Sequence, residues 1–259
     1  MAAENLHQFD QAAAEEEPEG GTMTLIEHLE ELRGRMIKIL IAVAVCSILG
    51  FIFWDRIMQF LLIPLPAAAN QLPNAHAGQL VARDIGEPFM VALKLGIAVG
   101  IMIASPVLLY QTWAFIAPAL TRRERKYALP FTLLGVGLFA AGLTVGFLVL
   151  RYPIDWLVSF GNDRFILLTD ANSYFSFVAY FLLAFAIVFE LPLVLTFMSV
   201  VGIVNSQVLR QKRLVILFCL WFLSCFITPG ADPYSPIIIA ASFTILFELT
   251  ILLMRFIGR

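Results

Sequence analysis

Long apolar runs, joined by loops in which the cationic side chains gather at alternate positions, constrain this chain more than any other feature of its sequence. The stretch Ala114–Tyr127 (AFIAPALTRRERKY) shows the pattern at its sharpest. Two apolar runs flank Arg122, Arg123, Arg125 and Lys126, which surround a single acid, Glu124. A basic cluster between membrane spans stays in the cytoplasm and sets topology. Composition agrees, with 60% hydrophobic and 14% charged residues and a mean hydropathy of +0.87, whereas soluble domains carry about 25% charged residues. The net charge of −2 says little, because the acids crowd the N-terminus and the bases crowd particular loops.

Met1–Thr22 holds Glu4, Asp10, Glu15, Glu16, Glu17 and Glu19 and no base. Such a segment buries too little apolar surface to fold, and it lacks the positive start and apolar core of a signal peptide. It reads as a disordered acidic cytoplasmic tail over 1–22, which leaves 23–259 as one transmembrane domain. Thr24 followed by Glu27 is a capping-box signature. Leu25, Ile26, Leu29, Leu32 and Met36 then recur at helical spacing, which predicts a short amphipathic helix on the membrane surface leading into the first span. Glu31 and Arg35 stand four apart on it, the spacing of an intrahelical ion pair.

Six spans are expected, at about Ile37–Trp54, Glu87–Trp113, Pro130–Tyr152, Ser173–Val204, Leu214–Ile227 and Pro236–Met254. An outer loop with Pro64, Pro66 and Pro73 follows the first span to about Gly86, and a short, mixed outer loop, Pro153–Asn172, follows the third. Pro106 predicts a kink and Pro192 a bend in the over-long fourth span. Gly142 and Gly146 form a GxxxG step suited to close helix packing, with Gly135 and Gly137 adding small surfaces. The last two spans read as short, the fifth giving about 21 Å of helix against a ~30 Å hydrocarbon core. Arg33, Arg35, Lys38, the 122–126 cluster, Arg210, Lys212, Arg213, Arg255 and Arg259 all fall on one side, so both termini are placed in the cytoplasm.

Chemistry is sparse. Cys46, Cys219 and Cys225 lie in apolar runs and read as buried inert thiols. His7, His28 and His76 show no metal-ligand spacing, and no cofactor is expected. The chain has no phosphate-binding Gly loop and no Ser-His-Asp arrangement, so a membrane enzyme finds no catalytic residues. A carboxylate inside the bilayer is costly and is a functional candidate by default. Glu190 qualifies best, while Glu248 lies near a cytoplasmic end within reach of Arg255. A secondary transporter for a small solute is the alternative reading, although such proteins often carry inverted repeats and none is seen here.

The order of motifs resembles the TatC family, a subunit of the twin-arginine protein translocase. The resemblance runs from about Thr24 to Arg255. It rests on His28–Arg35 (HLEELRGR), Glu87-Pro88-Phe89, Leu109–Leu120 (LYQTWAFIAPAL) followed by Arg123-Glu124-Arg125, Phe189–Pro192 (FELP) and Thr228–Ser235 (TPGADPYS). It implies an all-α integral membrane protein of six tilted helices in a cupped, glove-like bundle in the inner (cytoplasmic) membrane. It implies a non-enzymatic receptor for the twin-arginine signal peptides of folded cargo, driven by the proton-motive force. Partners would be TatA-type and TatB-type single-span proteins, further copies of the chain and the lipid bilayer, with no nucleic acid. By the same resemblance Glu31 and Glu124 receive the signal arginines, and Arg33, Arg35 and Phe115 belong to that region. Glu190 would be the intramembrane partner contact, and Pro64, Phe89 and Asp232 would be outer-side assembly positions. Pro236 departs from the Gln that the family often places after the Ser of the outer turn.

Overall fold

The computed structural model describes residues 25–66, 80–116, 128–160, 168–200, 202, 204, 206–228 and 232–256. The acidic tail 1–22 and the loop acid Glu124 lie outside them. The described residues are almost wholly helical. Ten helices run along them: α1 (Leu25–Ile52), α2 (Trp54–Leu61), α3 (Glu87–Ile116), α4 (Ala128–Val149), α5 (Arg151–Phe160), α6 (Ala171–Val188), α7 (Leu191–Val200), α8 (Ser206–Gln211), α9 (Arg213–Ile227) and α10 (Tyr234–Phe256). The chain divides into two compact units, Met1–Ile37 and Lys38–Arg259.

In the first unit the described residues form the start of α1, an unbroken helix that carries the amphipathic segment onward into the apolar run. In the second unit α4 packs on α6, α3 on both, and α10 on α7 and α9. The core they close contains Leu95 of α3, Phe181 and Phe185 of α6, and Ile239 and Phe247 of α10, each nearly or fully withdrawn from solvent. Close approach in place of large side chains brings α4 onto α6. A Cβ at Gly142 would sit 2.7 Å from the Phe185 carbonyl oxygen, and one at Gly146 would sit 2.9 Å from the Phe185 Cβ. Gly137 faces open space and takes no part in this contact, contrary to expectation. A second small-residue contact joins α1 to α3. A Cβ at Gly50 would lie 2.7 Å from the Gly96 carbonyl oxygen, and Ser47 fills the space beside Gly100.

Several expected boundaries change. The outer loop after the first span contains α2, and the outer segment after the third contains α5. The basic Arg210 segment is itself helical, in α8. The fourth span is two helices: the α-helical pattern stops at Val188, and Pro192, which suits the first turn of a helix, lies just inside α7. Helix α3 continues through Pro106. Among the described residues, five stretches are long and apolar enough to cross a membrane, namely Ile26–Ile52, Glu87–Ile116, Leu129–Phe160, Ala171–Ser199 and Tyr234–Leu252. The last of these corrects the expectation of a short sixth span. Arg213–Ile227 is the shorter apolar helix. This is a multi-pass, all-helical membrane protein.

Candidate functional site

Glu31 lies on the first turns of α1, where the chain turns from acidic to apolar. Its Oε1 accepts from Arg35 Nε at 3.0 Å and from Arg35 Nη2 at 2.5 Å, and His28 Nδ1 lies 3.8 Å from its Oε2. The pair follows from helical spacing, because residues four apart stack on one face. Both side chains are about one-fifth exposed, so solvent screens the pair only in part. Arg33, two residues away, is exposed. The guanidinium fork therefore already occupies one oxygen of Glu31, and Oε2 has no hydrogen-bond partner.

Phe115 is half-buried in the last turn of α3. The end of that helix is held by an aromatic trio in which Trp113 meets Phe131 of α4 at 5.3 Å and Phe197 of α7 at 4.7 Å between ring centroids. Edge-to-face geometry at the second contact, with an interplanar angle of 72°, suits the aromatic quadrupole. The trio packs the C-terminal end of α3 against α4 and α7; Glu124 lies outside the described residues.

Glu190 occupies the break between α6 and α7, and the break leaves room for its carboxyl. Its Oε1 is buried without a hydrogen-bond partner. A Cβ at Gly135 of α4 would lie 3.3 Å from its Oε2, so the absent side chain at Gly135 admits the acid. Glu248 is held differently from expectation: its Oε1 pairs with Arg213 Nε at 2.8 Å, not with Arg255. This ties the first residue of α9 to the C-terminal half of α10.

Pro64 is buried after α2. Phe89 is exposed and meets Phe51 edge-on, with centroids 6.1 Å apart. Asp232 is buried and accepts from the Ser235 amide at 2.6 Å and its hydroxyl at 2.8 Å, so it caps the start of α10. A polar cluster that sequence reasoning passed over joins the starts of α3 and α6. Asp170 caps α6, accepting from the Ser173 amide at 2.9 Å and hydroxyl at 2.6 Å, and pairs with Arg83 Nε at 3.0 Å. Glu87 accepts from the Asn172 amide, and Lys94 donates to Asn172 Oδ1 at 2.6 Å. Burial alone would raise the Asp170 carboxyl, but the Ser173 hydrogen bonds and the Arg83 charge outweigh it and hold it below the usual carboxylate value. The Asp170-x-x-Ser173 spacing, a capping signature, was the available signal. Cys219 and Cys225 are exposed, not buried as expected. Among the described residues, no three His, Cys, Asp or Glu are grouped so as to hold a metal ion.

Comparison with known proteins places this geometry. The family model described as Sec-independent protein translocase protein (TatC) matches residues 27–241. A Sec-independent protein translocase protein TatC from Carboxydothermus hydrogenoformans is 35% identical over 236 residues, covering 91% of this chain and 94% of that one. Its counterpart from Frankia casuarinae is 33% identical over 241 residues, and the match spans 91% of this chain and 66% of the relative's length. A crystal structure of the twin arginine translocase receptor TatC superimposes with a TM-score of 0.74 at 30% identity, covering 90% of this chain and all of that one. The chain belongs to the TatC family of Sec-independent protein translocase subunits, and is a transport protein, not an enzyme.

Proposed function

We propose that this chain is the receptor and core subunit of a twin-arginine translocase in the inner membrane, with six spans in a cupped bundle and both termini cytoplasmic. It binds the signal peptides of folded proteins at its cytoplasmic edge and works with TatA-type and TatB-type single-span partners and further copies of itself. Transport draws on the proton-motive force. Glu31 and Glu124 are the two acceptors for the paired arginines of the signal, with Arg33, Arg35 and Phe115 around them. Glu190 is the intramembrane contact to a partner or signal helix, and Pro64, Phe89 and Asp232 hold the outer side for assembly.

The observation that carries the reading is the Glu31–Arg35 pair. A carboxylate already engaged by the Nε and Nη2 of one guanidinium is pre-shaped for another, since the planar fork of arginine matches a carboxylate in a way the lysine ammonium does not. An incoming arginine exchanges with Arg35, so Glu31 is never left as an unpaired anion. Glu31→Gln or Glu124→Gln is expected to weaken binding of an Arg-Arg signal peptide to the purified chain by about ten-fold, the scale of one charge-assisted hydrogen bond. A Lys-Lys peptide should bind as weakly to the unaltered chain. Equal affinity of both variants and the parent for the Arg-Arg peptide removes the proposed site.

A further inference from the structure

A groove of about 500 Å³ opens between α2, α3, α4 and α6, within the size range of about 300–1,000 Å³ usual for ligand sites. Phe60, Met102, Leu143, Phe147 and Leu182 wall it. The rings of Phe60 and Phe147 stack at 4.5 Å and 9°, bracing α2 against α4. Of the lining residues Arg56 alone is charged. The one hydroxyl there, on Thr144, donates back to the Ala140 carbonyl at 2.8 Å and offers the groove no donor. Arg56 is exposed and has no carboxylate partner among the described residues, while its neighbour Asp55 accepts from Gln59 at 3.0 Å.

We propose that this groove binds a phospholipid with an anionic headgroup, its phosphate on Arg56 and one acyl chain along the apolar wall. Depth supports the match. Arg56 follows the outer end of α1, whereas Met102 stands about 22 Å, and Leu182 about 17 Å, along their helices from the same side at ~1.5 Å per residue. The groove thus starts at the interface and reaches somewhat past the middle of a ~30 Å core, deep enough for the acyl chain of one leaflet. In a bilayer an acyl chain gains no hydrophobic energy by entering an apolar groove, but a groove left unfilled forfeits dispersion contacts on one side. Some lipid chain therefore fills it, and the guanidinium selects which headgroup stands above. Arginine offers phosphate the same bidentate fork that it offers carboxylate. Assignment to the outer leaflet rests on the topology proposed above; the test below does not depend on leaflet or on signal binding.

The full chain is placed in phosphatidylcholine nanodiscs containing a trace of phosphatidylglycerol with a diazirine in its acyl chain, irradiated, and the adducts mapped by mass spectrometry. Adducts are expected at Met102 and Leu143, displaced by excess unlabelled phosphatidylglycerol and not by inorganic phosphate. Arg56→Gln lowers their yield about five-fold, the scale of one guanidinium near a membrane surface. Leu143→Trp, which fills the groove, lowers it at least as much. Adducts at Phe218 and Phe222, on the exposed face of α9, stay unchanged in both variants and report that each is folded. Groove adducts that ignore both substitutions and the competitor overturn the proposal. So does displacement by phosphate, which leaves only an anion on Arg56. A photo-crosslink from Leu148 to another polypeptide, with lipid adducts missing, assigns the groove to a protein helix and overturns it too.

Discussion

Two carboxyl groups show how differently the same side chain is used at the residue scale. Glu190 leaves Oε1 buried with no partner, an arrangement that costs about 1–3 kcal/mol for an unsatisfied polar group. Glu190→Leu removes that cost, so the purified variant should unfold at a higher temperature than the parent, while export of a twin-arginine cargo falls. Glu190→Gln keeps a polar group in place and should not gain stability. A Leu variant that melts lower than the parent contradicts the assignment. Asp170, by contrast, has a partner at each oxygen: Oδ2 accepts from Ser173 and Oδ1 forms the ion pair with Arg83. Its carboxyl lies below the ordinary value in the folded protein, so it contributes stability above about pH 3.9. That contribution disappears as pH falls through the lower folded value. Asp170→Asn keeps a capping side chain but removes the charge that pairs with Arg83, so it should cost at most about 1 kcal/mol and should flatten the acid limb of stability below about pH 4, read by thermal unfolding between pH 3 and 6. An acid limb as steep as the parent's counts against the ion pair.

Helices were legible to the degree that their signal was local. The apolar runs located α1, α3, α4 and α10 because each spans a bilayer's thickness of hydropathy, a property of consecutive residues. The helices α2, α5 and α8 escaped because they are short and mix charges with apolar residues, and what holds them is distant: Leu61 and Ile154 are buried against the bundle. The same division applies to the site. Glu31–Arg35 was readable because four residues on a helix meet by construction. Arg83–Asp170 and Arg213–Glu248 join segments far apart in the chain, and no spacing rule points to them. The GxxxG step stands between these cases: its motif is local, but only packing shows which glycines matter. Gly142→Ala drives a methyl to 2.7 Å from the Phe185 backbone oxygen and should destabilise by about 1–3 kcal/mol, the usual cost of overpacking. Gly137→Ala meets nothing within 4 Å and should be neutral or slightly stabilising. Thermal unfolding of the two variants side by side separates them, and equal destabilisation contradicts the α4–α6 contact as the reason for the motif.

For the molecule in its bilayer, the helix that fits least is α9. Its 15 residues span about 22 Å at ~1.5 Å per residue, roughly 8 Å short of the hydrocarbon core, whereas α10 beside it is long enough to cross. The mismatch therefore falls on one helix. Among the described residues nothing covers its outward face, where Leu214, Phe218, Phe222 and Phe226 are exposed, while on the other side Trp221 Nε1 donates to Thr244 Oγ1 of α10 at 3.1 Å. A short helix that faces lipid and is pinned to a longer neighbour thins the bilayer locally, at fractions of a kcal/mol per Å. We propose that thinning there lowers the barrier to moving a folded cargo past this face. Inserting one apolar turn after Phe226 adds about 5.4 Å and leaves the Trp221–Thr244 and Arg213–Glu248 contacts in register. The lengthened chain should bind an Arg-Arg signal peptide as the parent does and export cargo several-fold more slowly. Because signal binding is read separately, a fall in both quantities points to misfolding, and export at the parent rate means that local thinning is not required for transport.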